Sequence, residues 1–313
     1  MQKKQLRTCL GLALSCVLAL TIAACGKTQA SQAPSGTPGT RPVVYASFFP
    51  VKDLTERIVG DKMEVRSIIQ GNQEPHDFEL QTSDMAKISQ ADLIVYNGAG
   101  MEAFIDDLKA SAKSDDKFLD LSQGLTLLEG AGTLGDDHSS VNPHTWLSVR
   151  NAQLELKSIL DKVCEVDPAN RDFYQANYET ALAQFKGLDE KFERELSQVP
   201  ADRRYFVVSH AAFNYLAHDY GLRQVAVTGI SPEDEPSANQ LSTIADFVRQ
   251  HGITTIFFEG KATPKVAETL AKNTGTKTST LYTMESLTSE EQERGYLQLM
   301  EENLAALMGS FNG

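Results

Sequence analysis

Residues 167–199 read DPANRDFYQANYETALAQFKGLDEKFERELSQV, and this stretch decides how the 313-residue chain is built. Asp167 is a good helix N-cap and Pro168 a good first helical residue. Tyr174, Tyr178, Leu182, Phe185, Leu188, Phe192 and Leu196 then recur at steps of three or four, which puts them on one stripe of a single helix. Gly187 costs that helix about 1 kcal/mol, too little to end it. At 1.5 Å per residue the helix runs roughly 45 Å, longer than one small lobe needs. The stripe falls short of four clean heptads, so a stiff strut joining two lobes fits better than a coiled-coil arm.

Both sides of the strut alternate between short apolar strands and amphipathic helices. Before it, strands are predicted at Val43–Ser47, Met63–Ile69 and Ala91–Tyr96, with helices opening at Pro50, preceding Ala91, spanning Met101–Ala112 and starting at Ser148. After Pro200, strands are predicted at Tyr205–Ser209, Arg223–Thr228, Thr254–Phe258 and Thr278–Tyr282. Helices are expected over Ala212–Tyr220, over Ser237–His251 behind a capping box, from Thr263-Pro264 to Gly275, and over Ser289–Leu307. Such alternation implies parallel sheets flanked by helices. The reading is an α/β protein with an N-terminal lobe at 43–166, a linking helix at 167–199 and a C-terminal lobe at 200–313, each lobe holding a mainly parallel sheet.

The first 42 residues read as address and tether. Lys3, Lys4 and Arg7 precede an apolar run from Leu10 to Ala24, which suits a signal peptide at 1–24 better than a spanning helix. Ile22-Ala23-Ala24-Cys25 resembles a bacterial lipobox, so Cys25 is the expected lipidation site and membrane anchor. Residues 25–42, rich in Gly, Pro, Ser and Thr, read as a flexible tether. Cys9 and Cys16 would leave with the signal, and Cys164 is then alone, in an apolar-periodic segment that suits a buried thiol. Neither a disulfide nor a thiolate metal cluster is available. The three basic residues of 1–24 have no acidic counterpart there, so the net charge of −13 becomes −16 without them. That balance disfavours nucleic acid and anionic substrates and favours cations, although solubility alone also accounts for it.

Asn142-Pro143-His144-Thr145-Trp146 sets an imidazole on a rigid turn beside the only tryptophan. His76, His210 and Glu285 are three further ligand-type residues, distant in sequence and, like His144, expected at the carboxyl ends of strands, where open α/β sheets bind ligands. Two belong to each lobe. Three imidazoles and one carboxylate make a tetrahedral set that suits zinc, with manganese favoured only if carboxylates replaced imidazoles. Plainer roles fit each residue too: an exposed turn for His76, a turn cap for His144, a satisfied core histidine for His210 and a solvated loop carboxylate for Glu285. Asp136, Asp137 and His138 lie in a Gly-rich loop and are candidates for transient metal capture, or simply for a surface loop.

Four motifs occur in order: Glu-Pro-His-Asp-Phe-Glu at 74–79, Asn-Pro-His-Thr-Trp-Leu at 142–147, Val-Val-Ser-His-Ala-Ala-Phe at 207–213 and Ser-Pro-Glu-Asp-Glu-Pro-Ser at 231–237. Together they resemble the metal-binding solute-binding lipoproteins of ABC importers, of the zinc-uptake type, from about Val43 to the C-terminus. The resemblance implies a non-catalytic monomeric receptor that holds Zn2+ between two lobes and delivers it to a membrane permease. It maps the ligand positions onto His76, His144, His210 and Glu285, and makes Glu233, Glu235 and Glu259 parts of the second-lobe framework. Asn142 stands where manganese-type relatives often carry aspartate. The loop before His144, His-rich in many relatives, has one histidine here. Competing readings are a manganese receptor of the same family, a host-matrix adhesin and a zinc hydrolase, the last without an HExxH or Gly-x-Ser-x-Gly motif to carry it. Zinc affinity is expected to weaken between about pH 7 and 5, and release is expected from local motion of the loops carrying His144 or Glu285.

Overall fold

Val-Val-Tyr-Ala and Leu-Ile-Val-Tyr are runs of β-formers, and they pair as neighbours at the centre of the first sheet. The computed structural model describes residues 41–130, 140–259 and 264–313. Residues 1–40, which take in the expected leader, Cys25 and most of the expected tether, and Asp136, Asp137 and His138 lie outside the described residues. The N-terminal lobe runs β1 (Val43–Ala46), α1 (Phe49–Val59), β2 (Glu64–Ser67), α2 (Thr82–Ile88), β3 (Leu93–Tyr96), α3 (Ile105–Ala112) and β4 (Phe118–Asp120). Two long helices follow, α4 (Val149–Val166) and α5 (Arg171–Leu196). The C-terminal lobe runs β5 (Tyr205–Val208), α6 (Asn214–Tyr220), β6 (Arg223–Ala226), α7 (Ala238–Gln250), β7 (Thr255–Phe258), α8 (Pro264–Thr274), β8 (Lys277–Thr280) and α9 (Ser289–Asn312).

Both sheets are parallel and have the same topology, β2-β1-β3-β4 and β6-β5-β7-β8. Each therefore has a switch point between its two central strands, and the loops at their carboxyl ends diverge there to leave a crevice.

The long helix differs from its sequence reading at its start. Pro168–Asn170 form a tight 3-10 turn, and α5 begins at Arg171. Asp167 does not cap the backbone; its Oδ2 accepts instead from Tyr174 Oη (2.7 Å) and Asn170 Nδ2 (2.7 Å). The helix buries Tyr174, Ala181, Phe185, Leu188, Phe192 and Leu196 against α4, α1 and α9, so the linking helix is packed into the core. Two other features escaped the sequence. The three-residue edge strand β4 is only half-buried and carries no alternating signal. The last helix breaks at Gly295, whose φ of 75° is left-handed. That break turns the Tyr296 amide toward Asp53 Oδ2 (3.2 Å) on α1. One hydrophobic core runs from Val44 and Leu93 through Leu156, Phe185 and Phe192 to Phe206, Tyr296 and Phe311 without a seam between the lobes.

Glu155 of α4 is buried in this core, and among the described residues neither of its carboxylate oxygens has a hydrogen-bond partner. Burial pushes its acid up to about 8, and the nearby Thr145 hydroxyl offsets little of that. Between about pH 4.3 and 8 the unfolded chain releases this proton while the native state keeps it, so Glu155 lowers stability as pH rises through that window. Glu155→Gln is expected to lose that slope. Thermal melts of both proteins at pH 5 and pH 8 check it: the variant's melting temperature should gain several degrees on the wild type at the higher pH, and a gap that does not change with pH would clear Glu155.

Candidate metal centre

Four chain segments converge where the two crevices meet. Beyond β2, a turn closed by Gln73 N to Gln70 O (2.9 Å) and Gln70 N to Gln73 Oε1 (2.9 Å) leads to Glu74-Pro75-His76. Glu74 Oε1 accepts from His76 N (3.2 Å). His210 follows β5 by two residues, and Glu285 lies five residues beyond β8. Met284 holds a left-handed φ of 65°, which costs a side-chain-bearing residue about 1–2 kcal/mol and turns the next carboxylate inward.

The His144 turn is the most heavily braced. Asn142 Oδ1 accepts from His144 N (3.1 Å) and sits 2.8 Å from His144 Nδ1, while its Nδ2 donates to Ala211 O (2.6 Å). Asn97 Nδ2 donates to Pro143 O (2.8 Å), and Thr145 Oγ1 donates to Asn97 Oδ1 (2.9 Å). Glu102 in turn accepts from the amides of Asn97 (2.7 Å) and Gly98 (3.0 Å). Trp146 Nε1 donates to Thr283 O (2.7 Å), which ties the His144 turn to the Glu285 segment. These contacts join three of the four segments through buried groups.

His76, His144, His210 and Glu285 each offer one ligand atom, and these atoms lie within 4.8 Å of one another. His144 Nε2 is 3.3 Å from His76 Nε2 and 3.2 Å from His210 Nε2. Glu285 Oε1 is 3.2 Å from His76 Nε2 and 2.8 Å from His144 Nε2, and its Oε2 is 3.5 Å from His210 Nε2. His144 and His210 are fully buried and Glu285 is 2% exposed, whereas His76 is 11% exposed. On the far side of its ring, His210 Nδ1 is 2.9 Å from Glu259 Oε2, and Glu259 Oε1 accepts from Ser209 Oγ (2.6 Å). Asn142 Oδ1 behind the His144 ring and the Glu259 carboxylate behind the His210 ring favour a proton on each Nδ1 and leave both Nε2 atoms facing inward, the arrangement that metal-ligating histidines use. Two inward ring nitrogens 3.2 Å apart need a proton or a cation between them.

The charges agree with that demand. Burial presses His144 down to about 4, so its imidazole is neutral at physiological pH. Burial also opposes charge on His210, but the Glu259 and Glu285 carboxylates outweigh it and raise this residue to about 9. His76 is raised by Glu285 and Glu74 against its burial. Burial works against the Glu285 carboxylate, and the surrounding imidazoles overcome it and hold its acid well below the usual range. Burial and the Glu285 charge push Glu74 up to about 7. His218 is exposed beside Asp219, and His251 packs on Phe247 (4.2 Å between ring centres) and Tyr205; both are remote from the cluster. The bracing by Asn97 and Glu102 has no local sequence signal. That of Asn142 does, as an Asx residue two positions before a histidine.

A family model described as zinc-uptake complex component A, periplasmic, matches residues 44–309. The high-affinity zinc uptake system protein ZnuA of Bacillus subtilis is 35% identical over 305 residues, covering 93% of this chain and 94% of that protein. The zinc-binding lipoprotein AdcA of Streptococcus pneumoniae is 35% identical over 275 residues; these take in 84% of this chain and 54% of that longer protein, so the chain spans about half its length. The Zn(II)-bound ZnuA-like domain of Streptococcus pneumoniae AdcA superposes with a TM-score of 0.76 at 33% identity, covering 88% of this chain and 100% of that one.

Removing the groups that orient the rings should weaken metal binding without unfolding the chain. Asn142→Ala and Glu259→Gln are each expected to lower metal affinity 10–100-fold. Titration against a chromophoric chelator measures the loss, with circular dichroism as the check on folding.

Proposed function

This chain belongs to the ZnuA family of periplasmic zinc-uptake components, and we propose that it captures Zn2+ outside the cytoplasm and hands it to the permease of an ABC importer. His76, His144, His210 and Glu285 are the ligands in this reading. The observation that carries it is the spacing of the ligand atoms. A tetrahedral zinc with bonds of about 2.0–2.1 Å sets its ligand atoms about 3.3–3.4 Å apart. His144 Nε2 lies 3.3 and 3.2 Å from the other two imidazoles and Glu285 Oε1 3.2 Å from His76, close to those edges; Glu285 is nearer to His144 (2.8 Å) and slightly farther from His210 (3.5 Å), and the whole set stays within 4.8 Å.

Ligand chemistry favours zinc over manganese, because three imidazoles and a single carboxylate suit the softer ion. It also favours carriage over hydrolysis. A hydrolytic zinc keeps one position open for water, and in this reading Glu285 takes the fourth position. Lipidation at Cys25, with residues 25–42 as tether, would hold a monomeric receptor at the membrane surface beside its permease.

Metal competition on residues 26–313 tests the reading. The stripped protein, offered equimolar zinc and manganese, is expected to retain one zinc per chain by native mass spectrometry, and His76→Ala, His144→Ala or His210→Ala to lose it. One manganese instead of zinc would overturn the ligand chemistry. Binding should also expel protons, since His210, raised to about 9, is protonated at neutral pH in the metal-free protein. Each displaced proton makes affinity fall tenfold per unit as pH drops below that value. Calorimetry in buffers of different ionisation enthalpy is expected to show about one proton released at pH 7.5.

A further inference from the structure

Glu285 is carried by the segment between β8 and α9, which belongs to no strand or helix. Leu281 N donates to Phe258 O (3.1 Å) and so extends the β7–β8 ladder by one bond. At Tyr282 a side chain takes over from the strand. Asn303 Oδ1 accepts from Tyr282 N (2.7 Å), and Asn303 Nδ2 donates to Tyr282 O (2.9 Å). One carboxamide thus holds both backbone groups of one residue, as a neighbouring strand would. Asn303 is an unexpected residue for its place. It is fully buried in α9, a helix that also buries Leu299, Met300, Leu304 and Leu307. A carboxamide taken out of water costs stability unless its hydrogen bonds are remade, and asparagine is a poor helix former. Tyr282 remakes two of those bonds, while Met300 Sδ, a weak acceptor, lies 3.8 Å from Nδ2.

The same helix also grips the Tyr282 side chain. Arg294 stands over its ring (4.9 Å to the centre) and donates to its Oη (3.3 Å). From this double hold the chain runs directly to the carboxylate. Thr283 O accepts from Trp146 Nε1 (2.7 Å), Met284 takes its left-handed φ of 65°, and Glu285 enters the cluster. Beyond it, Leu287 N donates to Gly71 O, and Thr288 caps α9. A residue with a side chain stays in the left-handed region only while its surroundings over-determine its backbone. For Met284 the upstream part of that constraint is Tyr282, held by Asn303, together with Thr283, held by Trp146.

We propose that Asn303 is the positioning residue for Glu285: by holding Tyr282 N and O on α9, it keeps Met284 in its strained conformation and the carboxylate among the imidazoles. Its own bonds go to Tyr282, so it acts on the metal only through the segment that carries Glu285. Without the carboxamide, Tyr282 N and O lose their partner, Met284 relaxes and Glu285 withdraws. The ion is then left with three imidazoles and water. This inference rests on the metal-receptor reading above.

The test is a double-mutant cycle on residues 26–313, with zinc alone as the probe. Asn303→Ala, Glu285→Ala and the two together are compared with the wild type by competition against a chromophoric chelator. Melting of the stripped proteins is the check on folding, and Asn303→Leu, which refills the space in the core, is a second variant. Asn303→Ala is expected to weaken zinc binding about tenfold, and by no more than Glu285→Ala does. In the Glu285→Ala background the same substitution should change affinity less than twofold, with one zinc still bound per chain. Asn303→Leu should lose zinc as Asn303→Ala does. An equal loss in both backgrounds would overturn the proposal, because a merely structural role weakens the site whether or not Glu285 is present. So would wild-type affinity in Asn303→Ala, or a failure of both Asn303 variants to fold, which would make the carboxamide a requirement of folding. Unchanged affinity in Glu285→Ala would remove Glu285 from the ligand set and the role of Asn303 with it. Failure of the wild type to bind zinc would sink the receptor reading instead.

Discussion

Crowding of like electrostatic ends is the constraint on which this molecule turns. Three imidazole Nε2 atoms and a carboxylate are held almost at mutual contact, with His144 and His210 wholly out of water. Asn142 and Glu259 sit behind the His144 and His210 rings, so the Nε2 atoms stay turned inward. A proton relieves part of the repulsion and a divalent cation relieves all of it. Binding strength and sensitivity to protons thus have one origin, and the rest of the fold exists to keep those atoms from relaxing apart.

What prevents relaxation is the absence of a seam. The core passes from the first sheet through α4 and α5 into α9 and the second sheet. Ionic contacts on the outside run the same way, with Arg150 of α4 bound to Asp189 (3.0 Å) and Glu193 (2.7 Å) on α5 and to Asp219 O (2.9 Å) on α6. The Ser148 hydroxyl, which caps α4 through Asn151 N (2.9 Å), also donates to Asp219. Solvent-exposed pairs of this kind contribute little individually. Their value lies in fixing the register between helices that begin beside two different ligand turns.

Much of this was legible in the chain because the informative residues are of types with narrow roles. Asn142-Pro143-His144 announces a rigid turn with a histidine, and the stripe from Tyr174 to Leu196 announces a long helix. The two-lobe α/β architecture follows from strand and helix alternation on either side. Convergence of four distant ligand-type side chains is a property of topology, and a resemblance across whole motifs pointed to it where spacing did not. Other features left no trace. β4 is too short and too exposed to show a pattern. Glu155 reads as one more charged residue on a helix, yet it faces the core. The tie between Gly71 and Leu287 joins two unremarkable loop positions more than 200 residues apart, and only the assembled fold brings them together.

The lone tryptophan has an optical consequence. Trp146 is fully buried, its ring 5.2 Å from that of His144 and 4.9 Å from Phe48, with its indole N–H committed to Thr283. An emitting ring shielded from solvent and set against an imidazole of the cluster responds to the electronic state of that imidazole and not to bulk conditions. The chain therefore carries an intrinsic reporter of its own occupancy. Dyes placed at opposite ends of the two lobes would register almost no change in separation, because a continuous core offers no hinge for energy transfer to follow.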